Sequence, residues 1–544
     1  MKKNNLSMCK ISLIKILIFI LLVTAGLNAG NNDLNIKEAA SIIVLDEGRK
    51  KPLDSYARKK LIQISGKKKI AGESALEWLL KLMFNPALVD HLECFRILNP
   101  ETIDALSIKG PYKRRYSYNE IYPALDKCER IVFSISKKAT SDLLPFEREM
   151  LGLWNNITEY IALSSALSAF DPSENFTIND TVLASTLGLQ VHQPYAYSEL
   201  IGLSQKLSSQ FSNINNQDSL VGTDAEVVRL VRSMYAASTQ MQNAPPFIIP
   251  VVENGNEEWL SIWGYLNKFG TRGLKNNRIV ALQKLRTAFL THNQSNFNEV
   301  AITLNSEKFK DAHHPDLEIL YNKINLFFWA KIVLVLATLL TLFSIFYNKS
   351  IISKTGFILI IAGFILQTAG LLLRVLILMR PPLASLYETF VFVSWIIVLL
   401  GTGLEILQKK NIGKLIASCG GLAFLIISDR YVTNGDSFGV IAAVLNSGFW
   451  LTIHIVTIAI GYAGCLISGL IGHIYLLQRV FGVNEKTTRP FFQTVYMFLL
   501  IGLAFTVAGT VLGGMWADQA WGRFWGWDPK ENGALLIILW GSAV

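Results

Sequence analysis

Six long apolar runs dominate the second half of this 544-residue chain. Most of them are close to the roughly 20 residues that an α-helix needs to cross a bilayer. All six are predicted to be membrane spans. The predicted spans lie near residues 326 to 347, 355 to 378, 388 to 407, 413 to 428, 449 to 478 and 493 to 514. The predicted fold class is an all-α polytopic membrane protein.

Composition supports this prediction and narrows the possible partners. Hydrophobic residues make up 51% of the chain and charged residues only 17%, which is unlike an ordinary soluble protein. A net charge of +10 would suggest nucleic acid in a soluble chain. Here many lysines and arginines flank apolar runs, where they set membrane orientation, so nucleic acid is not expected as a partner.

The sequence divides into three predicted regions. Residues 1 to 30 combine early lysines with an apolar run and small residues, which is typical of a signal peptide or a first membrane anchor. Residues 31 to 325 form a large, mainly helical extracytoplasmic domain. Residues 326 to 544 form the transmembrane domain, with six complete spans and a seventh that begins at Gly533 and is cut off at Val544.

Two features of the large N-terminal domain admit alternatives. The stretch from Leu45 to Arg58 is predicted to be a polar turn feeding a helix capped by Asp54 or Ser55, and a structural connector is favoured there over a binding site. Cys94 and Cys128 can form a disulfide if the domain faces an oxidising compartment.

Loop charges predict the orientation of the spans. Three loops carry a positive excess and are predicted to be cytoplasmic. The opposite loops, at 379 to 387, at 429 to 447 and after the sixth span, then face the same outer side as the large domain. The basic residues of the three loops are Lys349, Lys354, Lys409, Lys410, Lys414, Arg479, Lys486 and Arg489.

A segment after the sixth span concentrates aromatic residues. It holds Trp516, Trp521, Trp525 and Trp527 within twelve residues. One or two tryptophans would be explained as interfacial anchors, but four favour a platform on which a flat aromatic ligand can stack. Trp521 and Trp525 would share a face if the segment is a short helix.

Charged residues in the same segment refine the ligand class. Arg523 and Lys530 offer cations to a ligand with acidic edges, while Asp528, which precedes a proline, suits a helix cap and break. Haem matches these requirements, since it is a planar macrocycle with two carboxylates and an iron that needs axial ligands.

Two histidines lie on the fifth span. His454 is about one turn inside its outer end, and an ionisable residue within a span is a functional candidate by default. The alternative is a neutral histidine bonded to a neighbouring helix. His473 lies about 28 Å farther along the helix, so one haem cannot use both. It is more easily explained as an interfacial residue than as a second inner haem site.

The loop before the third span is a further candidate. Arg374 or Arg380 can serve a carboxylate, and Glu388 lies just inside the predicted boundary. A simple helix start with an acidic residue in its first turn is an equally good explanation.

The order Trp-Gly-x-x-Trp-x-Trp-Asp-Pro-Lys-Glu from Trp521 to Glu531, with a histidine near the outer end of the penultimate complete span, resembles the WWD motif of the CcsA family of cytochrome c synthases, also called ResC. The run from Pro382 to Phe390 is also similar to the family's outer loop. The resemblance covers roughly residues 355 to 544, and the long N-terminal domain looks like a periplasmic extension of some bacterial members.

This resemblance implies a role in System II cytochrome c maturation in the bacterial inner membrane, with the large domain and the WWD loop on the periplasmic side. Haem b would be held at the outer face by Trp516, Trp521, Arg523, Trp525, Trp527, Asp528 and Lys530, with His454 as an axial ligand of the iron. Its vinyl groups would then be joined to the thiols of an apocytochrome c that carries C-x-x-C-H. A CcsB-like or ResB-like membrane protein and a thiol-reducing thioredoxin-like protein are the implied partners.

Departures from the family pattern leave the enzyme activity open. The family continues with a span bearing a histidine and an outer loop bearing a second ligand, so the chain is expected to be C-terminally truncated. The unfinished apolar run favours a fragment of a longer cytochrome c synthase (haem lyase), and the alternative is a truncated product that is not expected to work alone. The first apolar run also has no histidine, where fused members place one. Two alternative functions are a haem exporter or delivery protein without ligation activity and a membrane receptor with an outer sensor domain.

Overall fold

The computed structural model describes residues 34–544, apart from 213–220, 308, 310, 311, 313, 348, 349, 433–437 and 440–447. Residues 1–30, the predicted signal peptide or anchor, lie outside the described residues. Two compact units form, with the division between Ile319 and Leu320. We call the described residues before this division the N-terminal unit and those after it the membrane unit.

The N-terminal unit is mainly helical, as predicted, with small antiparallel strand pairs. The paired strands are β1 (Ile43–Asp46) with β2 (Arg49–Pro52), β3 (Lys69–Ile70) with β4 (Glu73–Ser74), β5 (Phe95–Arg96) with β6 (Arg115–Tyr116), β7 (Pro172–Ser173) with β8 (Tyr195–Ala196), and β9 (Ile249–Glu253) with β10 (Asn256–Leu260). The helices are α1 (Leu53–Ser65), α2 (Ala75–Phe84), α3 (Pro100–Leu106), α4 (Tyr118–Ile121), α5 (Leu125–Ile135), α6 (Pro145–Ser164), α7 (Thr181–Leu187), α8 (Tyr197–Gly202), α9 (Ser204–Ser212), α10 (Thr223–Met241), α11 (Ile262–Phe269), α12 (Asn277–Leu290), α13 (Gln294–Asn305) and α14 (Pro315–Ile324), whose last residues belong to the membrane unit.

The stretch from Leu45 to Arg58 differs from the prediction. It contains the β1–β2 hairpin, and α1 begins directly after Pro52, which occupies the N-cap without a side-chain cap. Asp54 instead pairs with Arg58, one turn later, at 2.6 Å. Asp54 therefore forms an i,i+4 ion pair instead of a cap, because Pro52, the last residue of the hairpin, occupies the N-cap position.

A buried charge cluster fastens this hairpin to α1. Asp46 accepts hydrogen bonds from Lys51 at 2.7 Å and from Lys59 at 2.6 Å. Burial alone would raise the pKa of Asp46, but the two ammonium groups outweigh it and lower the pKa to about 2. The Asp46 carboxylate is therefore ionised at neutral pH.

The disulfide that was possible between Cys94 and Cys128 is not formed. Cys94 and Cys128 are both free thiols buried in the core, and Cys128 Sγ contacts Met150 Sδ at 3.7 Å. Burial raises the pKa of Cys94 to about 12 and that of Cys128 to about 11. Both cysteines act as small apolar residues in this core.

The membrane unit contains six helices long and apolar enough to cross a membrane among the described residues, and they fall on the six predicted spans. The helices of the unit are α15 (Leu326–Tyr347), α16 (Ser350–Leu378), α17 (Leu386–Gln408), α18 (Ile412–Leu415) continued by a π-helical turn (Ile416–Gly420) and α19 (Gly421–Ser428), then α20 (Gly448–Val480), α21 (Glu485–Trp521) and α22 (Pro529–Ala543). The sixth span differs most, because α21 extends well beyond both predicted ends, at residues 493 and 514.

The helix connections collect at two ends of this bundle. We call the end that carries residues 379–385 and 522–528 the tryptophan end, and the opposite end, with residues 409–411 and 481–484, the lysine end. An ion pair of 2.6 Å between Lys331, near the start of α15, and Asp429, after α19, lies at the tryptophan end. It shows that the first span begins where the fourth one ends.

Lys414, predicted to be one of the basic loop residues that set the orientation, is buried. Only 5% of its surface is exposed, and its ammonium lies 3.7 Å from the Glu405 carboxylate and donates to Ser353. The tight packing of α18 on α17 draws the side chain inward, so Lys409 and Lys410 are the exposed cations of this loop.

Candidate functional site

The candidate site is built on the close contact between α20 and α21. A Cβ atom added to Gly464 would lie 2.8 Å from the Gly502 Cα, and one added to Gly509 would lie 2.9 Å from the Ile458 Cα. Both distances are shorter than real Cβ contacts, so only glycine allows the two backbones to approach this closely. This seam fixes the position of the first turns of α20 against the last turns of α21.

His454 lies at the tryptophan end of the seam. Its Nδ1 atom is 2.8 Å from the carbonyl oxygen of Gly509 on α21. Because a carbonyl oxygen only accepts hydrogen bonds, Nδ1 is assigned as the protonated nitrogen of the neutral ring. The lone pair of the neutral ring then resides on Nε2, which makes no hydrogen bond with any residue in the described ranges.

Trp516 flanks this imidazole. The two ring centroids are 5.8 Å apart and the ring planes are inclined by 47°. The Trp516 Nε1 atom is buried and finds no hydrogen-bond acceptor in the described part of the chain. Since buried indole N–H groups usually have a partner, this donor is available to a ligand.

Trp521 and Trp525 do not share a helix face, because the segment that joins them is not a helix. Helix α21 ends at Trp521, and Gly522 follows with φ of +67°, donating its N–H to the Asp518 carbonyl at 2.8 Å. This left-handed cap turns the chain away from the helix axis. Trp521 therefore lies on the helix end, with 52% of its surface exposed, and Trp525 lies in the loop beyond it.

Phe524 folds the loop back onto α21. A Cβ at Gly514 would lie 2.6 Å from the Phe524 Cζ atom, so the ring rests where a larger residue would stand. Arg523 lies against Gly526 in the same way, since a Cβ there would be 2.5 Å from a guanidinium nitrogen. Neither Arg523 nor Lys530 forms an ion pair with another described residue, which leaves both cations free for an anionic group.

Trp525 and Trp527 pack edge to face, with ring centroids 5.9 Å apart and planes at 84°. The Trp525 Nε1 atom is a second buried indole donor without a partner among the described residues. Trp527 has φ of +58° and is 69% exposed. A bulky residue held in the left-handed region and largely exposed is unusual and points to a functional constraint.

Asp528 caps α22, as its sequence context predicted. Its carboxylate accepts from the N–H groups of Lys530 at 2.8 Å and Glu531 at 2.9 Å, while the Glu531 carboxylate accepts from Asp528 N–H at 3.2 Å and from Gly526 N–H at 2.7 Å. The hydrogen bond from the Glu531 N–H is the main reason why the pKa of Asp528 is lowered. The acidic residue of the motif thus holds the loop in shape.

His473 is separated from this site. It is exposed at the other half of α20, and its Nδ1 atom lies 2.7 Å from the Gly469 carbonyl of its own helix. Its side chain bonds to its own helix, which favours the interpretation as an interfacial residue.

Arg374 and Arg380 both bind the carboxylate of Glu388. Arg374 Nη2 donates to Glu388 at 2.6 Å and Arg380 Nη1 at 3.2 Å, while Tyr321 accepts from Arg374 at 3.1 Å. The Arg374 guanidinium also lies 4.4 Å from the ring centroid of Phe438. The two arginines therefore neutralise a carboxylate of the protein itself. Through Arg374 this ion pair also connects Tyr321 on α14 and Phe438 to the tryptophan end.

Sequence reasoning missed Tyr321, Phe438 and the two glycines beside His454, Gly509 and Gly513. The aromatic partners lie far from Arg374 in the chain, so no local spacing points to them. For the glycines the sequence offered a weak signal, because glycines recur on one side of the sixth apolar run.

The residues of the tryptophan end fit a flat aromatic ligand with a metal centre and acidic edges. Two buried indole N–H groups lack acceptors among the residues that the structure describes, and a space beside the His454 ring at Gly513 would be filled by a single Cβ. The Nε2 atom of the His454 imidazole is available to a metal. The cations of Arg523 and Lys530 lie close in sequence to Trp525 and Trp527. His454 and Trp516 are in direct contact, whereas no ring contact joins His454 to Trp521, Trp525 or Trp527 within the described residues.

The fold and this site define a polytopic membrane protein with a tryptophan-rich, histidine-containing candidate site at one end of its helix bundle. Residues 383–544 match the family model described as cytochrome C assembly protein. This match supports the resemblance to CcsA proteins, although it begins later than the predicted limit near residue 355.

Curated relatives match the same part of the chain. A cytochrome c biogenesis protein CcsA from Chlamydomonas reinhardtii is 30% identical over 169 residues, which is 29% of this chain and 47% of the relative. Protein NrfI from Wolinella succinogenes is 32% identical over 169 residues, 29% of this chain and 18% of the relative. CcsA from Amborella trichopoda is 28% identical over 193 residues, 28% of this chain and 61% of the relative. The chain thus spans less than two thirds of each of these proteins.

Proposed function

We propose that this protein binds haem b at its tryptophan end, with His454 as an axial ligand of the iron, and presents it for attachment to apocytochrome c. The observation that carries the proposal is the 2.8 Å contact between His454 Nδ1 and the Gly509 carbonyl. Histidines that bind metals characteristically donate their other ring N–H to a carbonyl or carboxylate. His454 on α20 has this arrangement and contacts Trp516. Trp516 lies on α21, the helix that leads into the loop at residues 522–528.

The remaining residues of the site have distinct roles in this proposal. Trp516, Trp521, Trp525 and Trp527 offer flat surfaces and indole N–H donors to the macrocycle. Arg523 and Lys530 offer cations to its carboxylates. Asp528 acts indirectly, because its cap on α22 fixes the loop that carries the other residues. The protein's contribution is orientation of a bound substrate rather than acid–base catalysis.

The proposed setting is the bacterial inner membrane, with the tryptophan end on the periplasmic side. The exposed lysines and arginines at the lysine end support this orientation. The proposed partners are a CcsB-like or ResB-like membrane protein, an apocytochrome c with C-x-x-C-H, and a thioredoxin-like protein that keeps its thiols reduced. Addition of each thiol S–H across a haem vinyl group would form the thioether bonds.

The test is haem binding by the purified chain and its His454→Ala variant, followed by absorption spectroscopy. We expect a histidine-ligated haem spectrum in the unmodified protein and loss of that spectrum in the variant. His473→Ala is the matched control, since it removes a histidine from the same helix whose ring bonds to the Gly469 carbonyl within that helix. Equal haem content and identical spectra in His454→Ala and the unmodified protein would refute the axial role.

Separating delivery from ligation needs a second measurement. The chain is co-expressed with a ResB-like protein and an apocytochrome c, and covalent haem is followed by peroxidase staining after denaturing electrophoresis. Covalent haem that depends on His454 supports a synthase role. Bound haem without thioether formation would favour the alternative role in haem delivery.

A further inference from the structure

The His454 ring lies in a recess on the surface of α21. A Cβ atom added to Gly513 would be 2.6 Å from Cε1, 2.9 Å from Nδ1 and 3.4 Å from Nε2 of this ring. The first two distances are shorter than any real Cβ contact, so an alanine at position 513 would force the imidazole to move. The absence of a side chain at Gly513 therefore sets where the ring can lie.

The floor of this recess also provides the hydrogen-bond acceptor. The Gly509 carbonyl, one turn before Gly513, accepts from His454 Nδ1 at 2.8 Å. In an α-helix this carbonyl already accepts from the N–H of residue 513, and its second lone pair is left for the imidazole. Gly509 itself must be small, because a Cβ there would meet the backbone of Ile458 at 2.9 Å.

Steric and electronic constraints thus act on the ring together. Gly513 leaves room for the Cε1–Nδ1 side of the imidazole, and the Gly509 carbonyl selects the tautomer with the proton on Nδ1. Trp516, one turn beyond Gly513, borders the ring at 5.8 Å between centroids. All three residues lie on one side of α21, so a single helix surface determines the direction of Nε2.

We propose that Gly513 and the Gly509 carbonyl are positioning elements that hold His454 with Nε2 as its metal-ligating atom. This inference rests on the proposed haem-binding function and adds the residues that orient the ligand. Hydrogen-bond partners behind a metal-binding histidine typically change metal affinity 10-fold to 100-fold. Displacement of the ring from the carbonyl should weaken haem binding on that scale.

The first experiment compares Gly513→Ala with Gly472→Ala in the full chain. Both introduce alanine into a transmembrane helix, but a Cβ at Gly472 meets nothing within 4 Å. Haem titration should show affinity reduced about 10-fold to 100-fold in Gly513→Ala, with a changed axial-ligand spectrum, and no change in Gly472→Ala. A Gly513→Ala variant with unchanged affinity and spectrum would overturn the inference.

A second measurement requires no haem. Diethyl pyrocarbonate modifies accessible imidazole nitrogens, and mass spectrometry quantifies the reaction at His454 and His473 separately. We expect the rate at His454 to change in Gly513→Ala while that at His473 stays the same. If the unmodified protein binds no haem, the proposed function fails, whereas an unchanged rate at His454 contradicts the positioning role itself.

A pair of substitutions at position 454 keeps the inference testable if Gly513→Ala does not fold. His454→Asn places an amide N–H near the position of Nδ1, where it can still donate to the Gly509 carbonyl. His454→Gln extends the amide towards the position of Nε2 and loses this bond. The asparagine variant should unfold at the higher temperature, and equal unfolding temperatures would count against a role for the carbonyl.

Discussion

The Glu388→Gln substitution is expected to destabilise the membrane unit strongly, because it removes the charge that balances a buried arginine. Arg374 has no exposed surface, and Glu388 has only 1% exposed. The Glu388 carboxylate accepts from Arg374 at 2.6 Å, from Arg380 at 3.2 Å and from the Ala384 N–H at 2.7 Å. Glutamine retains the size of the side chain but not its charge.

The magnitude follows from the burial of both partners. Removing one member of a buried ion pair costs about 3–5 kcal/mol, because the other charge remains away from water without compensation. Arg380 is partly exposed and can turn to solvent, so the loss should come mainly from Arg374. If this reasoning is correct, the double substitution Glu388→Gln with Arg374→Met should recover most of the loss, since buried pairs can be replaced by apolar residues at little cost.

Unfolding in a mild detergent, followed by intrinsic fluorescence during titration with a denaturing detergent, would measure these differences. Asp429→Asn is the matched control, because it breaks an ion pair with Lys331 at the same end of the bundle whose carboxylate side chain is 54% exposed. Such exposed pairs contribute about 0–1 kcal/mol. The reasoning is refuted if Glu388→Gln destabilises no more than Asp429→Asn, or if the double substitution is less stable than Glu388→Gln alone.

Three further predictions concern ionisation, thiol chemistry and orientation. The Asp46 carboxylate, whose pKa is lowered from 3.8 to about 2, should contribute about 2 kcal/mol of stability. This contribution is complete above pH 4 and disappears as the pH falls towards 2, so the difference in free energy of unfolding between the unmodified protein and Asp46→Asn should shrink over that range; a difference independent of pH would contradict the role of the ionised carboxylate. Cys94 and Cys128, with raised pKa values, should react with a maleimide at pH 7 only after unfolding, and rapid labelling of the native protein would show that they are not buried. Single cysteines introduced by Trp527→Cys and Lys410→Cys should be labelled from opposite sides of the membrane by an impermeant reagent, with Trp527→Cys reacting from the periplasm; the reverse pattern would overturn the orientation.

The spans could be predicted from sequence because their cause is local. A run of about 20 apolar residues is sufficient for a helix that crosses a bilayer, and α15 begins and ends where the apolar run does. The cap at Asp528 was also predictable, since an aspartate before proline at a helix start satisfies exposed N–H groups without help from elsewhere in the chain.

Other features depend on the backbone conformation at one residue or on contacts between separate segments. The separation of Trp521 from Trp525 follows from a left-handed Gly522 at the end of α21, whereas the spacing of the two residues alone would also suit a continuous helix. The burial of Lys414 depends on the packing of α18 against α17, which loop charge does not reveal. The free state of Cys94 and Cys128 depends on where the core places each thiol.

The amino-acid sequence by itself determined the membrane architecture, the concentration of tryptophans at one end and the candidate histidine, because hydrophobicity and residue type act locally. Only the tertiary structure decided which groups meet. It placed the Gly509 carbonyl behind His454 and the Glu388 carboxylate between two arginines. His454 and Gly509 are 55 residues apart and meet only because α20 and α21 pack closely enough for glycine backbones to touch. Glu388 meets its two arginines because the loop between α16 and α17 folds the chain back on itself.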